Sequence, residues 1–172
     1  MGRLTVVGCG TAYLAGLAAS AWFERLAGLA LEIDIASEFR YREPPLDPRG
    51  AAVVISQSGE TADTLAALRY AKAAGQRILG LVNVTASTIA RQSDVVLPIH
   101  AGPEIGVAST KAFTSQLVAL AALAVLAGRL RGRIDAEGEA RLVEELCAIP
   151  RLVAETLALE GQIARLAREV AE

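Results

Sequence analysis

Short apolar runs alternate with amphipathic stretches along most of the chain. Several runs rich in β-branched residues have the length of strands, and each is followed by a turn containing glycine or small polar residues. The predicted strands are Leu4–Val7, Leu31–Ile35, Ala51–Ile55, Ile78–Val82 and Val95–Ile99. The continuous apolar run Ala51–Ile55 is typical of a parallel strand buried on both faces.

Helical spacing of apolar residues fills the intervals between these strands. The longer predicted helices run from about Ala12 to Leu29, from Thr61 onward, and from Ser109 to about Leu126. Ser87–Arg91 predicts a short helix, and Ala36–Tyr41 a helical turn or loop that stops before Pro44. The alternation predicts an α/β fold with a doubly wound parallel sheet of about five strands, whose last strand, ending near Pro98, lies at the edge.

The sequence after residue 130 becomes polar and helix-forming, and Pro150 predicts a break there. In the last predicted helix one set of residues steps alternately by four and three, namely Leu152, Thr156, Leu159, Ile163, Leu166 and Val170. Such a narrow seam packs on a partner helix or covers the chain's own sheet, and the pattern does not choose between these. We therefore predict two parts, residues 1–130 and 131–172.

Composition fits this fold and limits the partners. Hydrophobic residues make up 53% of the chain and aromatic residues only 4%, so the core is built from Ala, Leu, Val and Ile. The net charge of −2 gives no electrostatic footprint for nucleic acid. The apolar stretch Leu4–Ala21 is interrupted by glycines, and Leu117–Ala127 is shorter than a bilayer span, so no membrane segment is expected.

Metal and cofactor signals are weak. The two cysteines, Cys9 and Cys147, lie far apart without a CxxC or Cys/His pattern, and His100 is the only histidine. We expect no metal, reduced thiols and a cytoplasmic location. Gly8 and Gly10 begin a dinucleotide fingerprint, but Tyr13 stands where the third glycine belongs, so we expect no nicotinamide or other cofactor.

The junction between the third strand and its helix carries the strongest candidate chemistry. Ser56, Ser58 and Thr61 offer three hydroxyls beside the free N–H groups of a helix start, and Gly59 allows a tight turn. This pattern indicates an anion site that uses neutral donors, since the loop has no lysine or arginine. Alternatively, Ser58 or Thr61 is simply the N-cap of the helix. A Walker A loop is excluded because no Gly-Lys-Ser/Thr ending follows.

The loops after the first, third and fifth strands should meet at the carboxyl edge of the sheet, where ligands bind in such folds. The third of these loops contains Glu104, which is either a candidate acid or base for proton transfer or an ordinary loop carboxylate. His100 is a candidate catalytic group or a structural hydrogen-bonding residue. Lys111 is predicted either to contact a ligand or to be a solvated surface charge. Ser109 or Thr110 is predicted to cap the helix that follows.

Four stretches together resemble a known family. They are Cys9–Tyr13, Ala36–Arg42, Ile55–Thr64 and Ala101–Lys111. In this order they closely resemble the first sugar-isomerase (SIS) domain of the glucosamine-6-phosphate synthase family, also called glutamine-fructose-6-phosphate aminotransferases. SIS-type sugar-phosphate deaminases and isomerases share part of the pattern. One departure is Ala12, where the family commonly has serine.

The resemblance implies a three-layer, flavodoxin-like SIS fold and assigns roles to individual residues. Ser56, Gln57, Ser58 and Thr61, with Thr11, would hold the phosphate of a hexose 6-phosphate. Gly10, Val107, Ala108 and Ser109 would line the sugar. The resemblance also implies a homodimer.

The resemblance places the catalytic groups of the family in segments that this sequence does not match. These are a glutaminase domain, a second SIS domain and a C-terminal tail, and neither His100 nor Lys111 matches a catalytic position of the family. We therefore expect a hexose-6-phosphate-binding domain that is incomplete for catalysis alone. The alternatives are a free-standing sugar-phosphate sensor, and a deaminase or isomerase that uses Glu104 or His100.

Overall fold

The computed structural model describes residues 3–106 and 109–171. The chain divides into two compact units, the first ending at Ile134 and the second beginning at Asp135. The first unit holds the sheet and the second is helical.

The first unit is built on one parallel sheet in the strand order β2-β1-β3-β4-β5. Its strands are β1 (Leu4–Gly8), β2 (Leu31–Ile35), β3 (Ala51–Ser56), β4 (Arg77–Val82) and β5 (Val95–Pro98). All five predicted strands are confirmed, and Pro98 ends the edge strand β5, as expected. Because β1 and β3 are direct neighbours at the centre, the loops that follow them emerge side by side.

Helices cover both faces of the sheet. They are α1 (Thr11–Trp22), which continues as one π-helical turn (Phe23–Ala27), α2 (Ala36–Arg42), α3 (Ala62–Ala73), α4 (Thr88–Gln92) and α5 (Lys111–Leu130). On one face α1 and α5 pack with Val6, Val53 and Ile55. On the other face α2, α3 and α4 pack with Val7, Val54 and Ile78 through two adjoining clusters. The predicted three-layer α/β fold is therefore confirmed.

Helix α5 is longer than the apolar pattern indicated. The helix has 20 residues and, by length and composition alone, could span a membrane, so the expectation that this segment is too short was wrong. However, Ala112, Leu120 and Ala124 are fully buried in the core beside the sheet. This stripe forms the face of α5 that packs on the sheet, where apolar side chains are required.

The second unit consists of α6 (Ala136–Leu157) and α7 (Glu160–Ala171). The predicted break at Pro150 was wrong, since α6 runs through it. Pro150 is exposed, so water can satisfy the carbonyl whose helical partner is missing, and strong helix formers flank it on both sides. The predicted single last helix was also wrong: its seam is divided between α6, which ends at Leu157, and α7, which begins at Glu160.

Candidate functional site

The carboxyl ends of β1 and β3 open onto a cavity of about 210 Å³. Its lining consists of Cys9, Thr11, Ala12, Ile55, Ser56, Gln57, Ser58, Thr61, Ser109 and Gln116. The structure thus brings together all five residues predicted for phosphate binding, along with Ser109 from the loop after β5. Gly10, predicted for the sugar, is the N-cap of α1 beside this lining. Val107 and Ala108, also predicted for the sugar, lie outside the described residues.

The segment Ser56–Thr61, here called the hydroxyl loop, is ordered by its own hydrogen bonds. Ser56 Oγ lies 3.0 Å from Thr61 Oγ1 and accepts a hydrogen bond of 3.0 Å from Gly59 N–H. Ser58 Oγ accepts one from Glu60 N–H at 3.2 Å. These bonds hold three hydroxyl groups around one short turn, where a single anion could contact all of them.

The hydroxyl of Thr61 is not used to cap a helix. Thr61 occupies the N-cap position of α3, yet its side chain makes no capping hydrogen bond. Its hydroxyl is turned toward Ser56 and the cavity. The alternative that Thr61 serves simply as a side-chain cap is therefore wrong, and the first N–H groups of α3 stay available to another acceptor.

Two helix N-termini supply positive potential at this edge. Helix α1 begins at Thr11 and α3 at Ala62, directly after the two loops that line the cavity. The first turn of α1 contains no acidic residue, while Asp63 of α3 is paired with Arg40 at 2.8 Å. The partial positive charge of both helix ends is therefore left to favour an anion.

Glu60 ties the hydroxyl loop to the start of α4. Its Oε1 accepts a hydrogen bond of 2.7 Å from the backbone N–H of Thr88. Hydrogen bonding to Thr88 lowers the pKa of Glu60 below its usual range, because these bonds favour the ionised carboxylate. The loop geometry is thereby braced from outside the cavity.

The turn requires glycine at position 59 for two reasons. Its φ is +67°, a conformation that side chains with a Cβ rarely adopt. A Cβ at this position would lie 1.9 Å from Ser87 Oγ, the hydroxyl that caps α4 by accepting from Ala90 N–H. Only glycine therefore fits between the hydroxyl loop and α4.

Glu104 acts as a helix cap in this structure. Its Oε2 accepts hydrogen bonds from the backbone N–H groups of Thr110 (3.3 Å) and Ala112 (3.1 Å) at the start of α5. Sequence reasoning proposed Ser109 or Thr110 as the cap; Thr110 occupies the N-cap position but makes no side-chain capping bond. A carboxylate six residues upstream replaces it and complements the helix dipole, which a search for Ser or Thr next to the helix does not detect.

His100 and Glu104 lie together, but beside a different cavity. This open cavity of about 660 Å³ is lined by both residues and by Asn83, and it shares Gln57 with the smaller one. His100 is exposed, with φ of +52°. Asn83 positions this loop by accepting from Ala101 N–H at 2.9 Å and donating to the Gly102 carbonyl at 2.7 Å. Lys111 is exposed as the first residue of α5.

Sequence reasoning did not assign a role to Gln116, whose amide also lines the smaller cavity. It is buried on α5 in a stripe that steps by four, with Ala112 before it and Leu120 and Ala124 after it. An amide inside an otherwise apolar stripe was the available signal, because buried polar side chains need a hydrogen-bonding reason to be there.

Residues 3–106 and 109–171 contain no group of three or more His, Cys, Asp or Glu side chains placed to hold a metal ion. The chemistry of the smaller cavity is that of neutral hydroxyl and amide donors.

Comparison with known proteins identifies relatives over nearly the whole chain. The SIS domain family model matches residues 1–126. Two glutamine–fructose-6-phosphate aminotransferases (isomerizing), from Bradyrhizobium diazoefficiens and Mesorhizobium japonicum, are 59% and 62% identical to this chain over 170 residues. The alignments cover 99% of this chain but only 28% of each relative.

Solved structures show the same fold. The C-terminal domain of glucosamine-fructose-6-phosphate aminotransferase from Francisella tularensis superposes with a TM-score of 0.92 at 42% identity, covering 95% of this chain and 46% of that one. A glucosamine-6-phosphate deaminase from Thermotoga maritima superposes with a TM-score of 0.73 at 28% identity, covering 88% of this chain and 45% of that one.

Proposed function

Because the chain belongs to the SIS domain family, we propose that it forms the hexose-6-phosphate-binding part of a glutamine–fructose-6-phosphate aminotransferase. The observation that carries this proposal is the hydroxyl loop, which presents three hydroxyls at the N-terminus of α3 without using Thr61 as a side-chain cap. High identity to the aminotransferases favours them over the deaminase as the parent enzyme.

The phosphate is held by the hydroxyls of Ser56, Ser58, Thr61 and Thr11 together with the amide of Gln57. A phosphate dianion accepts several hydrogen bonds at once, and neutral donors at a helix start bind it without a counter-charge. The sugar extends from there toward Gly10 and Ser109, with Val107 and Ala108 as further contacts.

The proposed parent reaction converts fructose 6-phosphate and glutamine to glucosamine 6-phosphate and glutamate. Nitrogen from the glutamine amide enters the open-chain ketose at its carbonyl carbon, and a ketose-to-aldose isomerisation follows. This chain contributes binding and orientation, which place the reacting carbons against proton-transfer groups carried by other segments of the longer enzyme. Those groups belong to its glutaminase and second SIS domains and its C-terminal tail.

A homodimer in the cytoplasm is part of the same proposal. The dimer rests on the family resemblance, and the cytoplasmic location on the free cysteines Cys9 and Cys147. Within this proposal Glu104 and His100 have no catalytic role. Isomerase turnover by the purified chain that is abolished by Glu104→Gln would overturn that part of it.

Calorimetric titration with glucosamine 6-phosphate tests the binding function. We expect a Ser56→Ala/Ser58→Ala/Thr61→Ala variant to bind about 1,000-fold more weakly or worse, since each of the three hydrogen bonds to a charged group contributes about 1.5–3 kcal/mol. Thermal unfolding of the same sample shows whether the variant is folded, because Ser56 Oγ also accepts from Gly59 N–H.

The matched control removes three hydroxyls outside the cavity, in the variant Ser20→Ala/Thr114→Ala/Thr156→Ala. We expect wild-type affinity from this control. Equal affinity of the loop variant and the wild type would contradict the assignment of the phosphate site.

A further inference from the structure

Gln116 is a buried amide without a complete set of partners. Its side chain is 1% exposed, and Oε1 has no hydrogen-bond partner among the described protein atoms. Leaving a buried acceptor unpaired costs a protein about 1–3 kcal/mol. An apolar residue of similar size would avoid that cost in this otherwise apolar stripe of α5.

The amide is placed at the cavity that contains the hydroxyl loop. Gln116 lines it together with Ser56, Thr61 and Thr11. It comes from α5, on the face of the sheet covered by α1, whereas the hydroxyl loop leads into α3 on the opposite face. The ligand would therefore lie between the hydroxyl loop and this amide.

Hydrogen-bond chemistry decides which part of the ligand the amide oxygen can contact. Oε1 only accepts, and the oxygens of a phosphate dianion also only accept. The partner of Oε1 must be a donor, and a hexose 6-phosphate offers donors on its hydroxyl groups. The hydroxyl loop carries donors for the phosphate, so the two sides of the cavity suit the two ends of the ligand.

We propose that Gln116 is a specificity-determining residue that accepts a hydrogen bond from a sugar hydroxyl, while the hydroxyl loop binds the phosphate. This inference rests on the proposed function and deepens it. It makes the cavity selective for a polyhydroxylated phosphate ester over inorganic phosphate, because inorganic phosphate bound in the hydroxyl loop has no sugar hydroxyl to donate to Gln116 Oε1 and leaves that acceptor unpaired.

The test compares Gln116→Met with the wild type, using glucose 6-phosphate and inorganic phosphate as separate probes. We expect the substitution to weaken glucose 6-phosphate binding about 10-fold and to leave inorganic phosphate binding, followed by phosphorus NMR titration, unchanged. The melting temperature should stay the same or rise, because methionine removes the unpaired acceptor at nearly constant volume. If Gln116 served only in packing, the substitution would change the affinities for glucose 6-phosphate and inorganic phosphate by the same factor.

Gln76→Met is the matched control. Gln76 is also a buried glutamine with an unpartnered Oε1, but it lines a cavity at the opposite edge of the sheet, beside Thr5 and Asp47. Its Nε2 donates to the Asp47 carbonyl at 3.2 Å, so this control also measures the cost of losing one such bond. We expect Gln76→Met to bind both probes as the wild type does.

A second measurement starts from the wild type alone and can overturn the inference before any Gln116 variant is made. Singly deoxygenated analogues of glucose 6-phosphate are titrated into the wild type, where one of them should bind about 10-fold more weakly. In Gln116→Met that difference should disappear, which identifies the contact by a double-mutant cycle. Equal wild-type binding of all the deoxy analogues would overturn the inference.

The outcomes separate the inference from the proposed function. If the wild type binds glucose 6-phosphate, the loop variant loses it and Gln116→Met keeps it, the inference is wrong and the proposed function stands. Equal loss of both probes in Gln116→Met would also overturn the inference, since it would show an effect on the phosphate side. Failure of the wild type to bind any hexose 6-phosphate would overturn both.

Discussion

At the scale of single residues, the sequence indicated which residues form the hydroxyl loop but not which contacts their hydroxyls make. Three hydroxyls and a glycine between a strand and a helix indicated an anion site, but one of them as an ordinary cap fitted equally well. The structure excludes a side-chain cap for Thr61, because its hydroxyl contacts Ser56 instead of capping α3. The cap of α5 was missed because Glu104 reaches it across a loop, and side-chain contacts over such a distance leave no local pattern.

Substitution of Gly59 tests how tightly the loop is fitted against α4. We expect Gly59→Ala to lower the free energy of unfolding by about 3 kcal/mol, since it combines a positive φ with a clash against Ser87 Oγ. Gly132→Ala is the control, because Gly132 has the same φ of +67° and open space where the Cβ would be. It should cost about 1 kcal/mol in urea denaturation. Equal losses in both variants would exclude a steric role for Ser87.

The Glu60 contact makes a pH-dependent contribution to stability. Hydrogen bonding to Thr88 lowers the pKa of Glu60 in the folded state, so its contribution is present above the unfolded-state pKa of about 4.3 and is lost as pH falls through the lower folded-state pKa. We expect the difference in urea midpoint between wild type and Glu60→Gln to shrink over that acid range. If the difference in urea midpoint between wild type and Glu60→Gln grew as the pH fell, the predicted direction of the pH dependence would be wrong.

At the scale of elements, strands were predicted more accurately than helix ends. A buried parallel strand is marked by its own apolar run, so the predicted strand Ala51–Ile55 differs from β3 (Ala51–Ser56) by one residue. Helix ends depend on distant groups: the π-helical turn after α1 closes where Arg131 Nε donates to the Ala27 carbonyl at 2.7 Å. That partner is 104 positions away in sequence, so the helical pattern alone could not indicate it.

Pro150 gives the element-scale prediction. Because α6 continues through it, Pro150→Ala should restore one backbone hydrogen bond and stabilise the helix by about 1–3 kcal/mol, partly offset by the greater freedom of the unfolded chain. Circular dichroism during thermal unfolding would show a later loss of helix. The neighbouring exposed variant Arg151→Ala serves as a reference for a surface change. An earlier loss of helix in Pro150→Ala would mean that the proline contributes a needed contact.

At the scale of the whole molecule, the sheet order explains why residues from distant parts of the sequence meet. With β1 and β3 adjacent at the centre, Thr11, Ser56 and Ser109 reach one cavity. This convergence was predictable from strand alternation, because parallel strands connected by helices place their carboxyl ends at one edge. Gln116 was not predicted, since its importance depends on which face of the sheet α5 covers.

The division of labour in the proposed enzyme follows from the same arrangement. The smaller cavity contains hydroxyls and amides suited to holding a ligand, while Glu104 is engaged at the start of α5. Under the proposed function, binding energy gathered at the phosphate would fix the sugar for chemistry performed by other segments of the proposed parent enzyme.

A crystal structure of the chain with glucosamine 6-phosphate tests the central claim most directly, because it locates the phosphate. We predict phosphate oxygens within about 3.2 Å of the Ser56, Ser58 and Thr61 hydroxyls at the start of α3, with the sugar extending toward Gln116. A phosphate bound instead beside His100 and Glu104, or at the opposite edge near Gln76, would contradict the account.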